Sequence, residues 1–188
     1  MKNKSLIIVA VLFVVIIAAA VIVYPSLAEK ASEETTVSEE RLTGENTSIS
    51  DAVQYQKYKD IKLFDNEGNE FMLSDFEGKP VILNFWATWC GYCVQEMPDF
   101  EKAFKEYGDE IQFLMVNTDD GIAKGEKFIE DKGYSFPTCY DLEYRAAITY
   151  GISGIPRTIA IDKDGNIKYN RSGMLTADML ESVIEMIK

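Results

Sequence analysis

The sequence predicts an α/β layer fold, a central mixed sheet flanked by helices, over residues 53–188. Three observations carry that expectation. Val81-Ile82-Leu83-Asn84-Phe85-Trp86 is an almost unbroken apolar run of strand length, the pattern of a strand buried on both faces. Helix-like and strand-like stretches then alternate along the chain, as layered α/β folds require. Two turns rich in Asp, Asn and Gly each lie between short apolar segments and read as hairpins.

The elements follow in order. Ile61-Lys62-Leu63-Phe64 and Phe71-Met72-Leu73 flank Asp65-Asn66-Glu67-Gly68-Asn69, an N-terminal hairpin ahead of the first central strand. Val94 to Tyr107 carries apolar residues at helical spacing (Met97, Phe100, Phe104, Tyr107), interrupted by Pro98. Ile111 to Val116 is a second buried strand, and Ile122 to Lys132 and Leu142 to Tyr150 are helices. Between those helices Cys139 reads as a small apolar residue on an interior strand, a buried free thiol and not a third redox centre. Arg157 to Ile161 and Ile167 to Tyr169 form the second hairpin around Asp162-Lys163-Asp164-Gly165-Asn166. Ala177 to Ile187 is an amphipathic helix whose apolar face holds Met179, Leu180, Val183, Ile184 and Ile187. No internal repeat is present.

Two segments precede this domain. Residues 1–27 hold Lys2 and Lys4 and then an unbroken apolar run from Leu6 to Tyr24, long enough to span a bilayer as a helix. Lysines before the run and acidic residues after it place the N-terminus in the cytoplasm and the remainder outside. A cleaved signal sequence is the competing reading, since Ser26-Leu27-Ala28 offers small residues for a peptidase; either way the domain is exported. Residues 28–52, rich in Glu, Ser and Thr, read as a flexible acidic linker that cannot bury enough surface to offset its ordering entropy.

Composition excludes several functions. A formal charge of -12 leaves nothing to neutralise phosphates, so nucleic acid is not an expected partner. The chain contains no histidine, which removes Ser-His and Cys-His catalysis and most zinc sites. The pairs Asp119-Asp120 and Asp162/Asp164 suggest calcium, but the second sits in a tight hairpin lacking the distal glutamate of a complete loop and reads as a turn. No metal and no cofactor is expected.

The chemistry-bearing pattern is Trp89-Cys90-Gly91-Tyr92-Cys93 at a strand-to-helix junction. At a helix start, free backbone N–H groups and the helix dipole stabilise a thiolate, dropping a thiol pKa from about 8.5 to about 7 or lower. Cys90 is the expected attacking sulfur. Cys93, one helical turn on and within disulfide reach, is the expected resolving sulfur. The same spacing also binds zinc, but only Cys139 remains as a further ligand of that kind; a structural disulfide is the other alternative. Trp89 abuts Cys90 and is the better candidate for a substrate surface, while Trp86 reads as core.

Phe85-Trp86-Ala87-Thr88-Trp89-Cys90-Gly91-Tyr92-Cys93 resembles the thioredoxin-superfamily motif, with Pro98 at the kink of its active-site helix and Gly154-Ile155-Pro156 similar to its cis-proline loop. The resemblance covers residues 55–188 and implies a thioredoxin-like fold, a redox disulfide Cys90–Cys93, and substrate contacts from Trp89, Gly91, Tyr92, Ile155 and Pro156. The N-terminal hairpin, and the helical and strand insertion from Asp119 to Tyr140 before the cis-proline, are similar to TlpA/ResA-like thiol–disulfide oxidoreductases. Asn84 stands where thioredoxin carries its buried aspartate. Glu96 matches the glutamate that ResA-like proteins carry after their cysteines, which implies a proton-transfer role toward Cys93; a solvent-facing helix residue is the plainer reading. Gly-Tyr between the cysteines departs from the acidic residue and proline common in that group. The resemblance further implies an extracytoplasmic reductase of exported protein disulfides, apocytochrome c among them, fed by a membrane electron donor of the CcdA/DsbD type. A disulfide-forming oxidase and a non-catalytic scaffold domain with an inert disulfide are the alternatives. A peroxiredoxin-type peroxidase is disfavoured because Ala87 occupies the position of its motif threonine.

Overall fold

The computed structural model describes residues 55–188. The anchor or signal expected at 1–27 and the linker expected at 28–52 lie outside them, and no helix among the described residues is long and apolar enough to cross a membrane.

Seven strands form one mixed sheet. In chain order they are β1 (Lys62–Phe64), β2 (Glu70–Met72), β3 (Val81–Trp86), β4 (Gln112–Asn117), β5 (Thr138–Tyr140), β6 (Arg157–Ile161) and β7 (Ile167–Ser172). Their spatial order is β2-β1-β5-β4-β3-β6-β7. β3 runs parallel to β4, and β4 parallel to β5, while β6 lies antiparallel to β3 and β7 antiparallel to β6. The N-terminal hairpin β1–β2 joins the other edge antiparallel to β5 through Phe64 and Tyr140. All six residues of β3 are buried, as an apolar central strand requires.

The helices are α1 (Gly91–Tyr107), α2 (Ile122–Lys132), α3 (Arg145–Thr149) and α4 (Ala177–Glu185), with a 3-10 turn at Leu73–Phe76. The strand period of two divides β3 between two cores. Ile82 and Trp86 join Met97 and Phe100 of α1, Leu180 and Val183 of α4, and Phe128 of α2. Leu83 and Phe85 face the opposite way, toward Leu63, Val116 and Ala146. Asn84 therefore shares the α1 face with Ile82 and Trp86.

The structure corrects four local expectations. α1 begins at Gly91, earlier than the apolar spacing from Val94 indicated, and continues through Pro98. Proline there removes one N–H from the helical ladder without ending the helix. The helix expected over Leu142–Tyr150 contracts to Arg145–Thr149, because Tyr144 adopts a left-handed φ of 55° and the Asp141 carboxylate accepts from Ala146 and Ala147 N–H. Leu73 belongs to the 3-10 turn and not to β2. Met179 is 46% exposed, off the stripe of Leu180, Val183, Ile184 and Ile187 that α4 and its last turn bury.

Gly125 shows how closely α2 approaches the sheet. A Cβ there would come within 2.9 Å of both Asn117 Cγ and Tyr140 Cε1. In an open helix Gly→Ala stabilises by about 1 kcal/mol, but overpacking a filled site costs about 1–3 kcal/mol. Gly125→Ala should therefore lower the urea midpoint of unfolding; a raised midpoint would show that α2 shifts away from the sheet freely.

Candidate active site

The end of β3 leads directly to the cysteines. Past Trp86 the chain turns, with Cys90 N–H donating to the Ala87 carbonyl at 3.1 Å. The turn is held from outside: Thr88 N–H donates to Asp119 Oδ2 at 2.8 Å, and Asn117 Nδ2 donates to the same oxygen at 3.1 Å. Asp119 thus secures the loop that carries Trp89, a structural duty its sequence context did not reveal. No group of three or more residues able to hold a metal ion occurs among the described residues.

Cys90 is the N-cap of α1, and its Sγ accepts from the N–H of Cys93 at 3.2 Å. The two sulfurs form a disulfide, with Cα atoms 5.2 Å apart. Residue exposure is 7% at Cys90 and 1% at Cys93, so the capping sulfur is the more accessible of the two. Negative charge on Cys90 would sit among unpaired N–H donors at the positive end of a helix dipole. Trp89 and Tyr92 stand in solvent at 73% and 66% exposure, with Gly91 open between Cys90 and Tyr92.

The Ile155–Pro156 bond is cis. It lies one residue before Arg157, which pairs with Phe85 at the end of the β3–β6 ladder, so register brings the proline beside the strand end that delivers the dithiol. Arg157 is held back by Asn170 and Ser172, and Gly173 N–H donates to the Pro156 carbonyl at 2.9 Å.

Glu96 is inside the protein at 1% exposure, not solvent-facing. It follows Cys93 by three residues on the buried stripe of α1, with Met97 and Phe100. Its Oε1 accepts from Asn84 Nδ2 and its Oε2 from Leu175 N–H, both at 2.8 Å. Asn84 Nδ2 also reaches Thr158 Oγ1 at 3.1 Å, while Asn84 Oδ1 is buried without a partner. Burial raises the Glu96 pKa from 4.5 to about 7, against the downward pull of the two hydrogen bonds, and Asp99 adds to the rise. The 3.6-residue period already places Glu96 on the inner face; Thr158 and the Leu175 N–H had no local signal, since they arrive from 62 and 79 residues away (158 − 96 and 175 − 96). Cys139 is buried and free, its thiol pKa driven up by burial.

The sequence matches the model of the AhpC/TSA family over residues 55–170. The chain belongs to that family. It is 37% identical over 130 residues to the thiol-disulfide oxidoreductase ResA of Geobacillus thermodenitrificans, covering 69% of this chain and 75% of that protein. A crystal structure from Bacteroides vulgatus, described as a thiol-disulfide oxidoreductase, aligns with a TM-score of 0.65 at 32% identity, over 74% of this chain and 99% of that one. One from Chlorobium tepidum, described as a thiol:disulfide interchange protein DsbE, aligns at 0.65 and 30%, over 71% and 97%. The fold is thioredoxin-like, and this AhpC/TSA member is a thiol-disulfide oxidoreductase of the ResA/DsbE type whose cysteine pair is Cys90–Cys93.

Proposed function

We propose that this protein is an extracytoplasmic reductase of disulfides in exported proteins, tethered by its N-terminal apolar segment. The observation that carries the reading is the buried Glu96 carboxylate on the same face as Cys93, one turn on. An inert structural disulfide has no use for a buried carboxylate that titrates near neutrality, whereas two-step exchange needs a proton acceptor beside its resolving thiol.

Reduction begins with the dithiol. The Cys90 thiolate, stabilised at the start of α1, attacks one sulfur of the substrate disulfide. A Cys90–substrate bond forms, and the displaced substrate sulfur leaves as a thiolate and takes a proton from water. Cys93 gives its proton to Glu96 and attacks Cys90 Sγ. The second substrate thiolate departs, two electrons have passed to the substrate, and Cys90–Cys93 is oxidised. Trp89, Gly91, Tyr92, Ile155 and Pro156 supply the contact surface for a substrate that reaches Cys90. The likeness to ResA supports apocytochrome c or another oxidised exported protein as substrate, and a membrane donor of the CcdA/DsbD type to restore the dithiol. The apolar run from Leu6 to Tyr24, preceded by Lys2 and Lys4, supports the outward orientation.

Reduction potential and insulin reduction test this together. The Cys90–Cys93 couple should lie nearer thioredoxin's about -270 mV than the about -120 mV of a strong oxidant. Catalysed insulin reduction should vanish in Cys90→Ser. Wild-type protein no faster than the serine variant would leave only the scaffold reading, and a potential near the oxidant end would reverse the direction.

A further inference from the structure

An open cleft of about 680 Å³ is lined by Trp89, directly before Cys90, and by Ile155, directly before the cis-proline. A polypeptide whose cysteine reaches Cys90 must lay its flanking residues across these two side chains. Resting on the reductase reading above, we infer that this cleft selects substrate polypeptides with a basic residue beside the reactive cysteine, arginine foremost, and that Asp120 is the specificity-determining residue.

The lining of the cleft is mixed. Trp89, Ile152 and Ile155 supply apolar walls. Asp120 and Tyr144, both exposed, line it as well. The Tyr144 hydroxyl donates to Asp120 Oδ1 at 2.7 Å, which fixes the carboxylate while Oδ2 accepts no hydrogen bond among the described residues. Asp119 also lines the cleft, but it is buried and committed to Thr88 and Asn117. Lys124 is the opposing charge on the rim; its ammonium pairs with neither aspartate among the described residues.

A long side chain with an apolar stem and a cationic head fits this mixed lining. The stem would cover Ile152 and Ile155, and a guanidinium can stack on the indole or phenol ring while it meets Asp120. An acidic side chain would meet Asp120 with like charge, in a protein whose total charge is already -12.

The test uses symmetric disulfides of a short cysteine peptide with Arg, Ala or Glu next to the cysteine. The reduced full-length protein is mixed with an excess of each, and the second-order rate constant is read from the reduced peptide that appears, resolved from its disulfide by chromatography. The Arg peptide should exceed the Ala peptide by about fivefold, the upper end for an exposed ion pair, with Glu below both. The Arg-to-Ala ratio should fall toward one in Asp120→Asn and at high salt. It should persist in Glu126→Gln, which removes a charge outside the cleft from α2, the helix that follows Asp120. Equal rates for the Arg and Ala peptides in wild type, or a ratio unchanged in Asp120→Asn, would overturn the assignment. Failure to reduce even the Ala peptide would instead refute the reductase reading.

Discussion

A Glu96→Gln variant is expected to resolve its mixed disulfides about 10²-fold more slowly than wild type at pH 7, the lower end for loss of a positioned base. It should also be the more stable protein above that pH. Both effects come from one buried group. Between its ordinary pKa of 4.5 and its folded value of about 7, Glu96 holds its proton in the oxidised native state and loses it in the unfolded chain. The native state therefore binds more protons in that window, and stability falls as pH rises through it. The shift amounts to a decline on the order of 3 kcal/mol, complete above the folded pKa and absent below the unfolded one. Glutamine titrates nowhere in this range, so the decline disappears. Its carbonyl can keep one of the donors now held by Glu96, and Asn84, whose Oδ1 lacks a partner, can turn its amide to receive the new NH2. Urea midpoints from pH 4 to 8 read the stability, and stopped-flow resolution of a preformed mixed disulfide reads the rate. Wild-type resolution should accelerate through about pH 7 and the variant should lose that inflection. An inflection that survives in Glu96→Gln belongs to another group and ends the proton-acceptor role.

How far the sequence reveals this site depends on the range of the interactions that build it. β3 was legible because six consecutive buried positions leave a local record in residue type. The position of Cys90 was legible for the same reason, as the strand run stops and helical spacing follows within a few residues. Apolar spacing places the start of α1 too late because Gly91 and Tyr92 occupy its exposed first turn and add nothing to an apolar stripe. The shortening of α3 came from a contact between nearby residues that composition hides: Asp141 captures N–H groups five and six residues on, and Tyr144 turns left-handed between them. Glu96 occupies a middle position. Its place on the inner stripe follows from helix period, but its partners do not, since Asn84 reaches it across the sheet face and Leu175 from the loop before α4. The meeting of Asp120 with Tyr144 was equally hidden, because it forms only when the loops after β4 and β5 converge.

A Cys93→Ser variant should halt after the first exchange, and this separates the duties of the two sulfurs. Cys90 keeps its helix N-terminus and its access to solvent in that variant, so attack on a substrate disulfide should proceed. No second sulfur then remains within reach, because Cys139 is buried and its thiol is held strongly protonated by its apolar surroundings. Insulin turnover should fall to the uncatalysed background while a covalent adduct accumulates, visible on a non-reducing gel and dissolved by dithiothreitol. Cys90→Ser should give neither turnover nor adduct, since Cys93 retains only 1% exposure and a protein disulfide cannot approach it in line. Comparable adduct from both variants would mean that burial does not protect Cys93 and that the sulfurs are interchangeable. The adduct in Cys93→Ser has a second use. Its trapped partners, displayed from cells expressing the full-length chain, are the disulfides this protein meets. If the cleft beside Trp89 selects as inferred, the cysteines captured should lie next to arginine or lysine more often than their parent proteins' composition provides.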